Sequence, residues 1–146
     1  MNFRAMIFPP PPATPASVGL LVLRGFAGVA MATHGWGKMQ DPFHWLDKAE
    51  NPPPAIFQFL AAFSEFFGGL ALVIGLLSVL ASFGIICTML VAIEHHVTKG
   101  DPLGKWELAA AYLCINVLLL LAGPGRISLD SFIRSRLVGP EDSGGR

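Results

Sequence analysis

The chain has 146 residues and a mass of 15.6 kDa, which suits one domain and is too little for two. Only 14% of the residues are charged and 53% are hydrophobic, whereas a soluble domain has roughly 25% charged residues. Ten basic and ten acidic residues cancel, so no basic surface is available to neutralise nucleic-acid phosphates. The composition excludes an ordinary soluble domain and predicts a membrane protein whose first partner is the lipid bilayer.

The N-terminal segment, residues 1–16, is rich in proline. Four consecutive prolines at positions 9–12 favour an extended polyproline conformation and prevent a helix. We expect no cleaved signal peptide, because the apolar stretch that such a peptide requires is missing before these prolines.

Residues 17–123 predict four membrane-spanning helices. The first is expected over residues 17–38, where Arg24 is the single charge before the terminal lysine. A helix of this length is about 33 Å long and crosses the ~30 Å hydrocarbon core. A polar connection over residues 39–54 follows, and three prolines close it.

The apolar stretch over residues 55–97 is too long for a single span. It has 43 residues, and one helix of that length would be about 65 Å long, twice what a bilayer accepts. We therefore predict a turn near Leu77 and Ser78, with spans over residues 55–77 and 79–97.

A second polar loop at residues 98–105 leads into a fourth span from about Trp106 to Gly123, which a Gly-Pro-Gly sequence ends. Four spans with short connections predict an all-α, up-down-up-down bundle with both termini on one side of the membrane. The terminal side has five arginines and the opposite side four lysines, a small excess that favours cytoplasmic termini.

Residues 124–146 predict an interfacial amphipathic segment followed by a disordered tail. The apolar side of this segment is predicted to comprise Ile127, Leu129, Phe132, Ile133 and Leu137. The side towards water is predicted to comprise Arg126, Asp130, Arg134 and Arg136.

Ionisable residues inside the predicted spans mark the candidate site, because a charged side chain at the bilayer centre costs ~2.5–3.5 kcal/mol on insertion scales. All of them are predicted to converge on the half of the bundle that carries the two long loops. The candidate pocket residues are Arg24, His34, Glu65, Glu94, His95 and Glu107.

Arg24 and Glu65 are the deepest cation and anion, at estimated depths of ~21 Å and ~15 Å below the loop-side ends of their spans. Their helices are adjacent and antiparallel, so we predict an ion pair between them. Such a pair either organises a ligand pocket or only fixes how the helices align, and the sequence leaves both open.

The histidines raise the question of a haem or a metal. His34 lies at a similar depth to His95 and His96, as two axial haem ligands would require. The C-x-x-C-H attachment motif is absent from the sequence, so we disfavour haem. Glu94, His95 and His96 lack the H-E-x-x-H spacing, so we predict no metal site.

Cys87 and Cys114 lie in the middle of apolar runs and form neither a C-x-x-C pair nor a zinc-ligand set. The favoured interpretation is that both act as small hydrophobic residues, and a redox pair across neighbouring helices is the alternative.

Glycines recur along the first two spans, where small residues allow membrane helices to approach closely. The glycines predicted to serve helix packing are Gly25, Gly28, Gly35, Gly68, Gly69 and Gly75.

Several short motifs, taken together in their order and spacing, resemble the DoxX family over about residues 18–130. In chain order the motifs are Arg24-Gly25, His34-Gly35 with Lys38, Glu65-Phe66-Phe67-Gly68-Gly69, Gly75-Leu76-Leu77 and Gly123-Pro124-Gly125-Arg126-Ile127-Ser128-Leu129-Asp130. The resemblance implies a small four-helix protein of the bacterial inner membrane. It also implies a link to quinone-coupled thiosulfate oxidation or to oxidoreductase complexes that handle thiol or oxidative stress. The chain departs from the family in its proline-rich N-terminus and first loop, which suggests a specialised partner.

Two hypotheses on function follow. The first is a redox-linked membrane subunit whose polar half-bundle binds a quinone or a similar small molecule. Arg24 and Glu65 would organise the pocket. His34, with Glu94 or Glu107, would move protons. The second is a non-catalytic accessory subunit of a larger respiratory or photosynthetic complex.

Two other functions are disfavoured. A transporter would need inverted repeats or broken helices, and neither is evident. A self-sufficient enzyme would need a nucleophile–base pair or a phosphate loop, and the sequence contains neither motif. We therefore favour a subunit associated with an oxidoreductase.

Overall fold

The computed structural model describes residues 13–49 and 52–137. The predicted polyproline segment and the polar C-terminal tail lie outside the described residues. Within the described ranges the secondary structure is helical and contains no strand. The predicted all-α class is therefore confirmed for this part of the chain.

Five α-helices and one short 3-10 helix follow one another along the described chain. The helices are α1 (Thr14–Met39), α2 (Ala55–Ile74), α3 (Ser78–Thr98), the 3-10 turn (Leu103–Lys105), α4 (Glu107–Ala122) and α5 (Leu129–Leu137).

Three of these helices are long and apolar enough to cross a membrane. They are α1, α2 and α3, with 26, 20 and 21 residues. The fourth helix, α4, has 16 residues and is about 24 Å long, shorter than the span predicted for it. The four-span, up-and-down arrangement therefore stays a prediction.

The bundle has an apolar exterior and a partly polar interior, the reverse of a soluble protein. Val22, Phe26 and Leu121 expose 67%, 72% and 75% of their surface, and similar residues continue along the outer faces of the long helices. Arg24 and Glu65 are each only 2% exposed. This distribution fits lipid as the surrounding solvent, because lipid stabilises apolar surface and does not solvate charge.

Helices α1 and α2 pack antiparallel with their backbones in close contact. A Cβ atom at Gly28 would lie 2.6 Å from the Gly69 carbonyl oxygen, and one at Gly69 would lie 2.5 Å from the Ala32 nitrogen. A Cβ at Gly35 would meet the backbone of Phe66. These contacts fix which residues of the two helices lie side by side.

The other glycines of the predicted packing set have different surroundings. A Cβ at Gly68 would make an ordinary contact with Ile85 of α3, 3.5 Å away. A Cβ at Gly25 would have no described atom within 4 Å. Gly75 ends α2 in a left-handed conformation, with φ of 71°, which glycine adopts without strain.

The predicted turn near Leu77 and Ser78 is confirmed, because α2 ends at Ile74 and α3 begins at Ser78. Leu77 adopts a left-handed conformation with φ of 48°, which is unusual for a residue with a side chain. A carboxylate from the C-terminal segment holds this turn in place. The Asp130 Oδ1 atom accepts a hydrogen bond from the Leu77 nitrogen at 2.7 Å, and Oδ2 accepts one from the Ser78 nitrogen at 2.8 Å.

The prediction that Asp130 faces water is therefore wrong. Asp130 is 2% exposed, whereas Ile127, Leu129 and Phe132 of the predicted apolar side are exposed. The physical reason is the start of α3, whose first amide groups have no cap from their own residue Leu77. An anionic carboxylate from α5 satisfies them and interacts favourably with the positive end of the helix dipole.

Candidate functional site

A buried ion pair joins the loop-side end of α1 to the core face of α2. The Lys38 Nζ atom lies 2.5 Å from the Glu65 Oε1 atom. The Glu65 side chain is 2% exposed and the Lys38 side chain 26% exposed, so the carboxylate is inside the bundle and the ammonium group lies at its edge. The second oxygen, Glu65 Oε2, is buried and has no hydrogen-bond partner among the described residues.

The first loop folds over this pair. The Trp45 ring lies against Lys38, with 4.5 Å between the ring centroid and Nζ. The Trp45 Nε1 group donates a hydrogen bond to the Gln58 carbonyl oxygen at 3.0 Å. An indole over an ammonium group is a favourable cation–π arrangement and covers the pair on one side.

Gln58 holds the loop in this position, and the sequence analysis missed it. Its side chain is buried, accepts a hydrogen bond from the Leu46 nitrogen at 2.8 Å, and donates to Asp47 Oδ1 at 2.8 Å and to the Pro53 carbonyl at 3.1 Å. Gln58 is seven residues, or two helical turns, before Glu65 and so lies on the same core-facing side of α2. This spacing is the sequence signal that could have identified it.

Helix α4 meets α1 at the same level of the bundle. The His34 and Tyr112 rings are 6.3 Å apart in an edge-to-face arrangement. Tyr112 is buried, whereas His34 is exposed and its Nδ1 atom lies 2.9 Å from the Ala30 carbonyl oxygen. His34 is level with Glu65 because its neighbour Gly35 lies against the backbone of Glu65 and Phe66.

The predicted Arg24–Glu65 ion pair is wrong. The Arg24 Nη1 group donates to the carbonyl oxygens of Leu72 at 2.7 Å and Val73 at 2.8 Å, and Nη2 donates to that of Ile127. Arg24 therefore joins the end of α2 to the segment before α5. Lys38, by contrast, pairs with Glu65 in the middle of α2.

The alignment of the helices explains the error. Gly35 lies against Glu65, so Arg24 is eleven residues away along α1, or roughly 16 Å. The sequence-based depths took the loop-side ends of both spans as level. In the structure the first turns of α2 extend beyond the C-terminal end of α1, and the first loop packs against these turns.

The remaining predicted site residues lie at the surface near the second loop. Glu94 and Glu107 are exposed and His95 is half-buried. The neighbouring His96 approaches Asp101, with 2.7 Å between Nδ1 and Oδ2, and Lys105 donates to Asp101 Oδ1 at 3.1 Å. Among the described residues, no hydrogen bond or ion pair joins this group to Lys38 or Glu65.

The His96–Asp101–Lys105 group has its own electrostatics. The hydrogen bond from His96, followed by that from Lys105, holds the pKa of Asp101 below its ordinary value of 3.8. The carboxylate is therefore ionised throughout the neutral range and ties the end of α3 to the turn before α4.

The described residues contain no group of three or more His, Cys, Asp or Glu side chains that could hold a metal ion. Cys87 and Cys114 are free and exposed on the outer surface of the bundle.

Helices of membrane-spanning length, an apolar exterior and charged groups inside define a multi-pass integral membrane protein. The DoxX family model matches residues 19–98, more than half of the chain, and the chain belongs to the DoxX family. The matched residues include Arg24, Lys38 and Glu65. Comparison with curated proteins and with solved structures gives no match.

Proposed function

We propose that this DoxX-family protein is a redox-linked subunit of the bacterial inner membrane that binds a quinone or a similar small molecule beside Lys38 and Glu65. The observation that carries the proposal is the Glu65 carboxylate, which is buried among apolar helices. One of its oxygens is bound to Lys38 and the other has no partner among the described residues. An unsatisfied buried polar atom costs on the order of 1–3 kcal/mol. Ionisable groups retained at such a cost within membranes usually serve function.

The chemistry of this pair matches both redox states of a quinone. The Lys38 ammonium group can donate a hydrogen bond to a quinone carbonyl, and Glu65 Oε2 can accept one from a hydroquinone hydroxyl. Reduction of a quinone consumes two electrons and two protons. The electrons would come from a partner oxidoreductase, and the ion pair would exchange protons with the ligand and with water at the bundle edge.

The surroundings of the pair suit an aromatic ring. Trp45 covers Lys38 from the loop, and the Trp36 ring lies 5.5 Å from that of Phe66, the neighbour of Glu65. The partial exposure of Lys38 gives a ligand access from the edge of the bundle rather than through its core.

Trp45 supplies a direct test of binding, because a quinone close to an indole quenches its fluorescence. A variant with Trp36→Phe and Trp106→Phe leaves Trp45 as the reporter, and a short-tail ubiquinone analogue is titrated into the purified protein. We expect saturable quenching, with Glu65→Gln weakening the apparent affinity by about tenfold, equivalent to 1.4 kcal/mol.

The matched control is Glu107→Gln, which removes an exposed carboxylate from the same side of the bundle. It should leave the titration unchanged. Linear, unsaturable quenching that is identical in all variants would show that the quinone only partitions into the detergent, and would overturn the proposal.

A row of aromatic rings supports the alternative, an accessory subunit of a larger complex. Along the outer face of α2, Phe59 lies 5.8 Å from Phe63, and Phe63 lies 4.9 Å from Phe67. Phe63 and Phe67 are 46% and 44% exposed and could pack against a helix of another subunit.

Purification from native membranes without crosslinker separates the two functions. A stoichiometric complex that Phe63→Ala and Phe67→Ala disrupt favours the accessory role, and an isolated protein with bound quinone favours the first.

We further propose that α4 completes a four-span bundle with both termini in the cytoplasm. Support comes from the apolar composition of α4, its packing against α3 and its contact with α1. The arginine excess of the terminal side supports the orientation.

A further inference from the structure

Four buried polar atoms towards the terminal side of the bundle have no hydrogen-bond partner among the described residues. They are Arg24 Nε, Ser78 Oγ, Ser82 Oγ and Asn116 Oδ1. Ser78, Ser82 and Asn116 are fully buried, and Arg24 is 2% exposed. They come from three helices, α1, α3 and α4, and each lies on the core-facing side of its helix.

The helix contacts place Asn116 level with the end of α2. The His34 ring contacts Tyr112 of α4, and the neighbouring Gly35 lies against Phe66 of α2. Tyr112 is therefore level with about residue 67 of α2. Asn116 is one turn further along α4, about 6 Å closer to the terminal side, and so is level with about residue 71.

The serines of α3 bracket the same level. Gly68 of α2 faces Ala81 and Ile85 of α3, so Ser82 is level with about residue 69 and Ser78 with about residue 73 of α2. Asn116 lies between the two serines in height, with α3 and α4 packed against one another.

The Arg24 guanidinium group reaches this level from α1. Its Nη1 atom binds the carbonyls of Leu72 and Val73, so the guanidinium group is level with Ser78 along the bundle axis. All four unpartnered atoms therefore fall within about two helical turns of one another along the bundle axis, roughly 11 Å.

The hydrogen-bonding capacities of these atoms are complementary to water. The Arg24 Nε–H group can only donate, Asn116 Oδ1 can only accept, and the two serine hydroxyls can do both. They cannot all be satisfied by an ion of either sign. Buried water satisfies such mixed groups, and a site needs two to four polar partners to hold it.

We propose that ordered water occupies the interior of the bundle between Arg24, Ser78, Ser82 and Asn116. This hydrated site is independent of the ligand proposed beside Lys38 and Glu65, which lies on the loop side. The water hydrates the Arg24 Nε group, while the Nη1 and Nη2 groups bind the backbone carbonyls.

Pulsed X-ray radiolysis tests the site, because hydroxyl radicals formed from bound water label the side chains beside it. Leu72 and Leu119 have no exposed surface and lie at this level of the bundle. We expect both to be labelled in the wild-type protein, and the Ser82→Ala plus Asn116→Leu variant to reduce that labelling several-fold. The proposal is overturned if Leu72 and Leu119 of the wild-type protein are labelled no more than background. It is also overturned if the variant leaves their labelling unchanged.

The matched control is Ser64→Ala, which removes a hydroxyl that already has a partner, Thr88 Oγ1 at 2.7 Å. Labelling of Leu72 and Leu119 should be unaffected by it.

The stability of Ser82→Ala is a second test of whether the site holds water, and it needs no labelling. This change hardly alters volume, so its sign depends on whether the hydroxyl is hydrated. With water bound, alanine removes hydrogen bonds and lowers Tm in detergent. In a dry interior, alanine relieves an unsatisfied group and raises Tm, which overturns the proposal.

Discussion

Lys38 and Arg24 are two cations of the same helix that are stabilised in different ways. Lys38 pairs with a carboxylate, and Arg24 binds the carbonyl oxygens of Leu72, Val73 and Ile127. The difference follows from side-chain chemistry, since the planar guanidinium group can donate to several carbonyls at once. The more compact ammonium group serves as a point charge beside Glu65.

The first prediction concerns the energetic partner of Glu65. Lys38→Met should leave the Glu65 carboxylate uncompensated and lower the free energy of unfolding by about 1–3 kcal/mol. The roughly 3–5 kcal/mol cost of breaking a fully buried pair is reduced here because the Lys38 side chain is 26% exposed. Unfolding titrations of Lys38→Met, Glu65→Gln and the double variant in detergent give the coupling energy, and the double variant should lose less than the sum of the single changes.

The matched control is the cycle of Arg24→Gln with Glu65→Gln, which should be additive because the two residues bind different partners about 16 Å apart along the helix. Additive effects for Lys38 and Glu65 would mean that their contact contributes no stability.

At the scale of single elements, backbone contacts and capping determine how the helices fit together. The α1–α2 contact depends on glycines whose missing side chains admit the neighbouring backbone. The α2–α3 turn depends on Asp130, which comes from an element more than fifty residues later in the chain. Both are contacts between elements that sequence periodicity within one helix does not reveal.

The second prediction tests the α1–α2 contact. Gly35→Ala should lower the free energy of unfolding by about 1–3 kcal/mol, because the new Cβ atom would clash with the Phe66 backbone and force the helices apart. Gly25→Ala on the same helix is the control. No atom of the described residues lies within 4 Å of its Cβ position, and alanine favours the helix, so Tm in detergent should stay the same or rise. Equal effects of the two changes would show that close helix contact at Gly35 is not needed.

The third prediction concerns pH and the second loop. The folded-state pKa of Asp101 is held below 3.8 by His96 and Lys105, so its ionised form stabilises the loop at and above that pH. This contribution should be lost as the pH falls below 3.8, through the lowered pKa of the folded state. Limited proteolysis or hydrogen exchange of residues 96–105 should show protection at pH 7 and its loss on acidification.

Asp101→Asn should remove that protection at neutral pH and abolish its pH dependence. Glu94→Gln, which changes an exposed carboxylate on the same end of α3, should behave like the wild type. Wild-type-like protection in Asp101→Asn would contradict the role of the carboxylate.

At the scale of the whole molecule, the distribution of polarity is inverted relative to a soluble protein. Large apolar side chains cover the outside, and Arg24, Gln58, Glu65 and Asn116 lie inside. Arg24 and Glu65 bind groups on a neighbouring helix and so favour one alignment of α1 and α2, because in lipid an unpaired polar group is costly and apolar packing alone does not discriminate between alignments. Gln58 instead holds the first loop.

The fourth prediction is the membrane topology. With four spans and cytoplasmic termini, single cysteines at Lys48 and Lys99 should react with an impermeant thiol reagent in intact cells, and a cysteine at Arg136 should not. The background is Cys87→Ala with Cys114→Ala, and because both cysteines are exposed on the bundle surface, assembly should remain near normal. Labelling of the tail position alone would reverse the orientation. Labelling of Lys48, Lys99 and Arg136 all from the same side would show that α4 does not span.

The sequence by itself determined the membrane class, the helical fold, the DoxX family and the turn between α2 and α3. These follow from local properties, because the length of an apolar run, a proline or glycine at its end and the backbone length per residue are all encoded within one segment. It also identified Arg24 and Glu65 as the buried charges, since their isolation within apolar runs is visible in one dimension.

Only the tertiary structure decided which groups those charges meet. Glu65 pairs with Lys38 because close glycine contacts place Gly35 beside it, and the first turns of α2 extend beyond α1 to carry the loop that Gln58 holds. Asp130 is buried because α3 begins without a cap of its own. The alignment of two helices depends on contacts between distant residues, and a shift of a few residues changes no local pattern while exchanging every polar partner.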